Sequence, residues 1–462
     1  MTPFESYQSP FSWRYGSPEM RRIWGEENKR LVWRQLWVAM AEAQIEWGLV
    51  THEQVQDLKV HKGEVDMPRA LEIEKNIHHD LMAELKVFAG QCPMGGVILH
   101  LGATSMDIKD NTDVLLIAQS LDILLPKLGN LLKTLAGKVE AYAGVPVMAF
   151  THLQPAEPTT LGYRLAGTAQ DLLEDYEVLL KVRRELKAKG FKGAVGNAAS
   201  YVMLYGIEGQ KRFEALLSQA LGLPFFEVTT QIYTRRQDYT VLSALAGLAA
   251  TAHKFAFDLR LLQSEMFGEL AEPFGEEQVG SSAMPFKRNP VEAEKIDSLA
   301  RAVSAAPLIA WNNQANSLLE RTLDDSANRR TLFPETFLSI DEIIMTLVRI
   351  MEGLQVNPAI MQQNLDKFSP FAAVERVMMA AVKNGADRQE MHEVLRQLSM
   401  AAWQAIQQEQ ANPLAGLVTQ DERVIQWVAP DELNQLFAVE GYTGFAEPRA
   451  REMALKIRTR IS

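Results

Sequence analysis

The chain has 462 residues, 47% of them hydrophobic and 23% charged, which is ordinary globular composition and gives a soft expectation of about three domains. The net charge of −11 argues against a nucleic-acid-binding surface over the whole chain, because such a surface is basic, but it leaves room for a local basic pocket. The single cysteine, Cys92, excludes an internal disulfide and a thiolate metal cluster and is typical of a reducing compartment.

No targeting or membrane-spanning segment is evident in the sequence. Residues 1–20 mix Pro, Ser, Tyr and Glu and contain no apolar core of a secretory leader. The longest run of low polarity, residues 241–252, is shorter than the about 20 apolar residues that a membrane-spanning helix needs. We therefore expect a cytoplasmic protein whose partners include neither a membrane nor a nucleic acid.

In chain order, the sequence predicts a mixed helical domain over residues 1–103, a central bundle of long helices over 104–356 and shorter helices over 357–462. Three central segments have apolar residues spaced alternately three and four apart, which places them on one helix face and predicts a packing seam. The seams consist of Val114, Ile117, Leu121, Leu124, Leu128, Leu131 and Leu135; of Val241, Leu245, Leu248, Ala252, Phe255, Leu259, Leu262 and Met266; and of Phe333, Phe337, Ile340, Ile344, Leu347, Met351 and Leu354. A fourth long helix is expected over residues 161–189.

Strand patterns are scarce, apart from a short extended piece over residues 145–150. The expected fold class is therefore mainly α, with a long central helical bundle. Asn357-Pro358 indicates the end of the last long helix, and Asp387 with Glu390 predicts a capping box at the start of a C-terminal helix. Seams of this length also indicate that identical chains pack together as an oligomer.

Four polar segments interrupt the apolar pattern, at residues 77–80, 100–107, 150–156 and 280–290, and they contain four of the eight histidines. Histidine titrates near neutrality, so this concentration points to acid–base chemistry. Each segment alone is more simply a helix cap or a turn. A metal site is not indicated, because no HExxH pair occurs and two of the histidines are adjacent.

Residues 280–290 read Gly-Ser-Ser-Ala-Met-Pro-Phe-Lys-Arg-Asn-Pro, and this loop resembles the signature loop of the fumarase/aspartase superfamily. Residues 13–20, 231–235 and 320–330 resemble the adenylosuccinate lyase branch, especially its animal-type members. The resemblance covers nearly the whole chain, because the polar segments occur in the family's order. It implies a three-domain, mostly helical fold whose central helices form a twenty-helix core in a homotetramer.

The resemblance also implies an activity, the elimination of fumarate from adenylosuccinate, giving AMP, and from its carboxamide counterpart SAICAR, giving AICAR, in purine biosynthesis. It implies small nucleotide substrates, no cofactor, no metal ion, and active sites that are each shared between three subunits. The chemistry removes a weakly acidic proton beside a carboxylate, which requires a base and strong stabilisation of the anion that forms.

Roles in this chemistry follow from the same resemblance. Ser281 is expected to be the base, His152 the general acid, and Glu294 the carboxylate that orients His152. A serine is a weak base unless its alkoxide is stabilised, and we expect Lys287 and the loop amides after Gly280 to stabilise it.

The resemblance assigns the substrate contacts in three groups. These are Thr104, Ser105, Lys287 and Asn289 for the succinyl carboxylates, Arg14, Tyr15, Arg321, Ser326 and Arg330 for the phosphate and ribose, and Gln231, His79 and Asp80 near the base or the reacting centre. Arginine suits the phosphate because its planar fork makes paired hydrogen bonds. Taken alone, Arg321 and Arg330 are more typical of salt bridges.

Two further substrate contacts depart from the animal-type pattern. His78 and Lys295 each stand where that pattern has an arginine. Histidine is not permanently charged, and lysine lacks the bidentate geometry of arginine. We therefore expect the balance between the two substrates, or the pH dependence, to differ from the animal-type pattern.

Three alternatives remain. Another enzyme of the superfamily, such as argininosuccinate lyase or a carboxymuconate cycloisomerase, is disfavoured by the phosphate-type arginines. A catalytically silent helical scaffold is disfavoured because Ser281, His152, Lys287 and Glu294 are all present. An unrelated coiled-coil protein would leave the polar segments unexplained.

Overall fold

The computed structural model describes residues 5–439 and 442–461, and within them the chain is mainly helical, as predicted. The α-helices are α1 (Pro18–Ile23), α2 (Glu26–Gln44), α3 (His52–His61), α4 (Met67–Ile77), α5 (Asp80–Gln91), α6 (Ser105–Ala141), α7 (Leu161–Glu185), α8 (Ala199–Leu221), α9 (Arg236–Leu262), α10 (Val291–Ala315), α11 (Asp324–Gly353), α12 (Pro358–Lys383), α13 (Arg388–Gln407), α14 (Leu414–Gln420), α15 (Glu422–Ile425), α16 (Pro430–Phe437) and α17 (Ala446–Arg460). Short 3-10 helices and strands complete the described elements: Pro10–Ser12, Ile45–Trp47, Gly96–Ile98, β1 (Pro146–Thr151), β2 (Gln154–Thr160), β3 (Leu270–Ala271) and β4 (Gln355–Val356). The strands form two antiparallel pairs, β1 with β2 and β3 with β4.

The chain divides into two compact units, each made of three separate stretches. The first unit comprises the chain up to Leu128, Asp175–Ala252 and Ser298–Met345. The second comprises Gly129–Glu174, His253–Asp297 and the chain from Thr346 onward. The three-domain division at residues 103 and 356 stays a prediction.

The three predicted seams lie in α6, α9 and α11 and are buried along almost their whole length. Helix α6 alone runs for 37 residues, and all of its predicted seam side chains are inaccessible to solvent. The prediction is wrong at Met266, which is 79% exposed because α9 ends at Leu262. Burial of such apolar rows supplies most of the stability of helices of this length.

The fourth predicted helix, α7, ends at Glu185 rather than at Lys189. The chain leaves the helix there because Lys189 is fully buried in an ion pair with Asp107 of α6, while Ala188 forms a bridge with Phe225. A buried ammonium group is costly without a charged partner, so this pairing outweighs one more helical turn.

Helices α6 and α9 are long and apolar enough, by length and composition alone, to cross a membrane. In their most apolar windows, however, 61% and 50% of the residues are buried inside the structure. A core helix of a soluble protein has the same properties, so these two helices are weak evidence for a membrane span.

A tight hairpin joins β1 and β2, and its first strand confirms the extended piece predicted at residues 145–150. Thr151 pairs with Gln154, so the turn consists of His152 and Leu153 alone. Both have positive φ, 54° and 59°, which matches the twist of a two-residue hairpin turn but is unfavourable for a leucine. The strained turn leaves His152 exposed at the tip of the hairpin.

The N-terminal helices of the first unit pack around an aromatic core that includes Trp33, Trp37 and Phe88. Beside this core, buried Glu84 of α5 accepts hydrogen bonds from Arg30 at 3.2 Å and Arg34 at 2.6 Å, both on α2. Because the buried carboxylate is paired, α5 is tied to α2 without an uncompensated charge. This pairing fixes the position of α5, whose first turn carries predicted site residues.

Side-chain caps begin two helices near the C-terminal end, and the one at Asp387 lies where the sequence predicts a helix start. Asn357 caps α12 by accepting a hydrogen bond from the N–H of Ile360. Asp387 caps α13 by accepting from the N–H groups of Gln389 and Glu390. Each cap satisfies backbone donors that the first turn of a helix leaves free.

Candidate active site

Two adjacent histidines form the sharp junction between α4 and α5. His78 ends α4 in the left-handed conformation and is exposed. His79 caps α5, and its Nδ1 accepts a hydrogen bond from the N–H of Met82 at 3.3 Å. Since Nδ1 is an acceptor, the ring proton lies on Nε2, which donates to Ser105 Oγ at 3.3 Å. His79 thus connects the start of α5 to the start of α6.

Thr104 and Ser105 lie at the N-terminus of α6. The backbone N–H of Thr104 donates to the Asp107 carboxylate at 3.0 Å, which holds the chain as it enters the helix. The N-terminus of a long helix carries partial positive charge and favours an anion. This position fits the predicted contact of both hydroxyls with a substrate carboxylate.

Asp80 is shared between two cations from different helices. Lys109 of α6 donates to its two carboxylate oxygens at 2.8 and 3.0 Å, and Arg330 of α11 donates at 2.7 Å. Burial alone would raise the pKa of Asp80, but Lys109 and Arg330 hold it well below its ordinary value. Asp80 is therefore ionised at neutral pH.

A cleft in the first unit brings together three residues that the sequence assigns to the phosphate and ribose, Arg321, Ser326 and Arg330. Ser326 is in the first turn of α11, and Arg321 precedes that helix and donates to Asp325 at 2.8 Å. Lys29, Lys109, Arg235 and Arg329 also line this cleft. The cleft is thus rich in cations although the chain is acidic.

A buried ionic network lies beneath the cleft. Arg235 donates to Asp325 at 2.7 Å and, through two nitrogens, to Asp110 at 3.1 and 3.2 Å. Arg329 donates to Asp238 at 2.8 Å and to Asp113 at 2.7 Å. These two guanidinium groups are neutralised by their acids and act as structural supports of the cleft.

The signature loop of the second unit is closed on itself. Asn289 Nδ2 donates to the carbonyl of Gly280 at 2.9 Å, and a Cβ on Gly280 would lie 1.9 Å from the carbonyl oxygen of Lys287, so no larger residue fits there. Ser281 Oγ accepts hydrogen bonds from the N–H groups of Ala283 at 3.3 Å and Met284 at 3.1 Å. These two N–H groups belong to the loop amides that we expect to stabilise an alkoxide. Lys287, the other expected stabilising group, follows Ser281 by six residues and is exposed.

The other predicted residues of the second unit are arranged differently from the predicted His–Glu pair. The carboxylate of Glu294 contacts Arg260 at 3.7 Å rather than His152, which is exposed on its hairpin. Lys295 donates to Glu292 at 3.0 and 3.2 Å. Within one chain, then, the structure does not form the expected contact between acid and orienting carboxylate.

Arg14, Tyr15 and Gln231 belong to the first unit but do not line its cleft. The guanidinium of exposed Arg14 lies 5.7 Å from the ring of Trp13. Tyr15 packs against Phe11, with ring centroids 5.6 Å apart. Gln231 donates through its backbone N–H to the carbonyl of Glu320 at 3.2 Å, directly beside the Arg321 segment.

Sequence reasoning missed four cleft cations, Lys29, Lys109, Arg235 and Arg329. One signal could have found Lys109, because it follows Ser105 by four residues and so lies on the same face of α6. Among residues 5–439 and 442–461, no group of three or more His, Cys, Asp or Glu side chains is arranged to hold a metal ion.

Comparison with known proteins identifies the family of the chain. The family described as Lyase matches residues 14–304, and the family described as Adenylosuccinate lyase C-terminus matches residues 370–452. A relative named adenylosuccinate lyase from Schistosoma mansoni is 42% identical over 87% of this chain and 85% of its own length. Its namesake from Saccharomyces cerevisiae is 37% identical over 99% and 95%.

The chain belongs to the adenylosuccinate lyase family. It is accordingly a lyase of the fumarase/aspartase superfamily, as its sequence motifs indicate, and not an unrelated coiled-coil protein. Solved structures bear out the fold. A 3-carboxy-cis,cis-muconate lactonizing enzyme from Pseudomonas putida has a TM-score of 0.86 over 99% of this chain and 100% of its own, and a fumarate lyase from Mesorhizobium has 0.84 over 97% and 99%. Their identities, 24% and 23%, support a common fold alone.

The ion pairs of Asp80 predict a pH-dependent contribution to stability. Because they depress its folded-state pKa, the contribution is complete above the unfolded pKa of about 4 and is lost as the pH falls through the folded-state pKa. Asp80→Asn should lower the free energy of unfolding by about 1–3 kcal/mol at pH 7. Urea unfolding from pH 7 to pH 3 should show the difference from the wild type shrinking below about pH 4.

A suitable control is Asp122→Asn, which removes an exposed acid paired with Arg183. It should cost less than about 1 kcal/mol. A difference between Asp80→Asn and the wild type that grows as the pH falls would contradict the ionised state of Asp80.

Proposed function

We propose that this protein eliminates fumarate from adenylosuccinate, giving AMP, and from SAICAR, giving AICAR, and so acts in purine biosynthesis. The observation that carries the reaction type is the Ser281 hydroxyl, which already accepts two backbone N–H bonds within the signature loop. The cation-rich cleft around Arg321, Ser326 and Arg330 supports an anionic nucleotide as substrate. The family membership supports both.

Ser281 acts as the base in this proposal. As an alkoxide it takes the proton from the carbon beside a succinyl carboxylate, and negative charge develops on that carboxylate. The amides of Ala283 and Met284 stabilise the alkoxide before the transfer, and their donors need no reorganisation. The electron pair left on carbon forms the double bond of fumarate as the C–N bond breaks.

His152 is the general acid that protonates the leaving nitrogen, and Glu294 orients it. A carboxylate beside an imidazole fixes its tautomer and raises its pKa, which suits an acid at neutral pH. Exposure of His152 at the hairpin tip supports delivery of the imidazole to a site outside its own hairpin.

The remaining contacts bind the substrate. Thr104 and Ser105 at the start of α6, together with Lys287 and Asn289, take the succinyl carboxylates. Arg14, Tyr15, Arg321, Ser326 and Arg330 take the phosphate and ribose. Contacts near the base or the reacting centre come from His79, Asp80 and Gln231, and His78 and Lys295 make further contacts with the substrate.

The assembly we propose is a homotetramer in which each active site is shared between three subunits. Its support is the arrangement in one chain, where Glu294 pairs with Arg260 and Arg14 is exposed away from the cleft residues. The long helices also keep exposed apolar side chains, such as Phe257 and Trp311. The chemistry calls for no cofactor or metal ion, and we place the enzyme in the cytoplasm.

The function is tested by mixing the purified protein with adenylosuccinate and following the absorbance change as AMP forms. Separate reactions with SAICAR and with argininosuccinate complete the comparison. We expect turnover of the two purine substrates and none of argininosuccinate. Activity on argininosuccinate alone would overturn the proposal.

The base is tested by a pair of neighbouring serines. Ser281→Ala should lower kcat by at least about 100-fold, because a general base contributes roughly 100- to 10,000-fold. His152→Ala should have a loss of the same order. Ser282→Ala is the matched control and should keep kcat near the wild-type value, since its hydroxyl is absent from the contacts of the Ser281 turn. A folded Ser281→Ala protein with full turnover would refute the assignment.

The shared site is tested by coupling oligomeric state to activity. Analytical ultracentrifugation across a dilution series should find a tetramer at assay concentrations, with activity lost as the tetramer dissociates. A stable monomer with full activity would contradict a site built from several subunits.

A further inference from the structure

We propose that Lys109 is a further specificity-determining residue of this enzyme, one that binds the substrate phosphate together with Arg330. This inference rests on the proposed function, because it names a group that recognises the same nucleotide. Lys109 lies outside the polar segments of the sequence and outside the contacts that the family resemblance assigns. We infer its role from its position on α6, from its ion pair with Asp80 and from the net charge of the group that Asp80, Lys109 and Arg330 form.

Lys109 stands one helical turn beyond the predicted carboxylate contact. Ser105 and Lys109 are four residues apart on α6 and therefore share a face. Ser105 contacts His79, and Lys109 contacts the neighbouring Asp80, so two successive residues of the α5 start meet two successive turns of α6. On its other side Asp80 contacts Arg330 of α11. Lys109 consequently lies between the carboxylate end and the phosphate end of the predicted site.

The arrangement leaves one positive charge unbalanced. A single carboxylate, Asp80, pairs with both Lys109 and Arg330, so this triad carries one net positive charge. The Asp80 side chain is 10% exposed, whereas those of Lys109 and Arg330 are 22% and 46% exposed. An anion that reaches the triad therefore meets the two cations, because the acid that orients them is the least exposed of the three.

The deeper cations of the same cleft have a different arrangement. Arg235 is 1% exposed and is paired with two acids, Asp110 and Asp325. It has no net charge left for a ligand, and it supports the wall instead. Lys109 shares its one acid with another cation, its side chain is 22% exposed, and an ammonium group is one of the cations by which proteins bind phosphate.

Lys109→Met tests this inference because it removes the charge and keeps the length of the side chain. We expect KM for adenylosuccinate to rise by about 10-fold or more, as for the loss of one charge-assisted hydrogen bond, with kcat changed by less than about threefold. Calorimetric titration with AMP and with inorganic phosphate should show a similar loss of affinity. Competitive inhibition by fumarate, which carries no phosphate, should change by less than about twofold.

Two further variants serve as controls for the Lys109→Met measurements. Lys109→Arg keeps a phosphate-binding cation and should restore KM to within about threefold of the wild-type value. Lys133→Met makes the same substitution at an exposed lysine farther along α6 and should leave KM unchanged. If Lys109→Met fails to fold, Lys109→Gln removes the charge but keeps a hydrogen-bond donor for Asp80, and it should still bind inorganic phosphate more weakly than the wild type.

Wild-type affinity for AMP and inorganic phosphate in a folded Lys109→Met protein would overturn the inference. So would an equal loss of affinity for phosphate and for fumarate, because that marks a general disturbance of the site. Both binding measurements are independent of turnover. If the wild type did not cleave adenylosuccinate, the proposed function would fail while the phosphate titrations still decided the role of Lys109.

Discussion

The first unit depends on the pairing of three acids along the start of α6, Asp107, Asp110 and Asp113. The first two are fully buried, and a carboxylate removed from water has to meet a cation. Their spacing of three residues places them on neighbouring positions of the helix surface. Each draws in a cation from a different part of the chain, and these partners are Lys189 after α7, Arg235 before α9 and Arg329 within α11. The pairs fix these segments around one end of α6, and two of the three cations, Arg235 and Arg329, line the cleft.

This arrangement explains how an acidic chain contains a basic site. The chain has a net charge of −11, but six cations and three acids line the cleft, and Asp80, which pairs with two of these cations, is buried. Asp80 and Asp325 are buried, whereas Arg330 reaches solvent. The sign of the total charge therefore describes the outer surface, and the local order of acid below cation determines what the cleft attracts.

Prediction from sequence succeeded where the physical signal is local and repeated. Heptad spacing identifies α6, α9 and α11 because every turn adds another apolar side chain to the same face. It failed at the ends, since the stop of α7 before Lys189 depends on Asp107, which is 82 residues away in sequence. The spacing of Lys109 from Ser105 is visible in the sequence, but its ion pair with Asp80 is not, because Asp80 is on another helix. The contacts of the loop around Ser281 lie within ten residues of one another, so a short motif in the sequence is enough to locate the loop. The predicted contact between His152 and Glu294 joins distant segments, and within one chain Glu294 contacts Arg260 instead.

The polar segments also carry a backbone cost that bears on their purpose. His78, His100 and His152 all have positive φ, of 54°, 66° and 54°. Such conformations cost of the order of 1–3 kcal/mol, and glycine would adopt them more cheaply. His100 is held by a hydrogen bond from Trp37 Nε1 to its Nδ1 at 3.1 Å, and burial lowers its pKa, so its imidazole is neutral and fixed. Each turn thus gives up stability to place an imidazole where the chain reverses. Glycine at these points would relieve the backbone but would remove the imidazole.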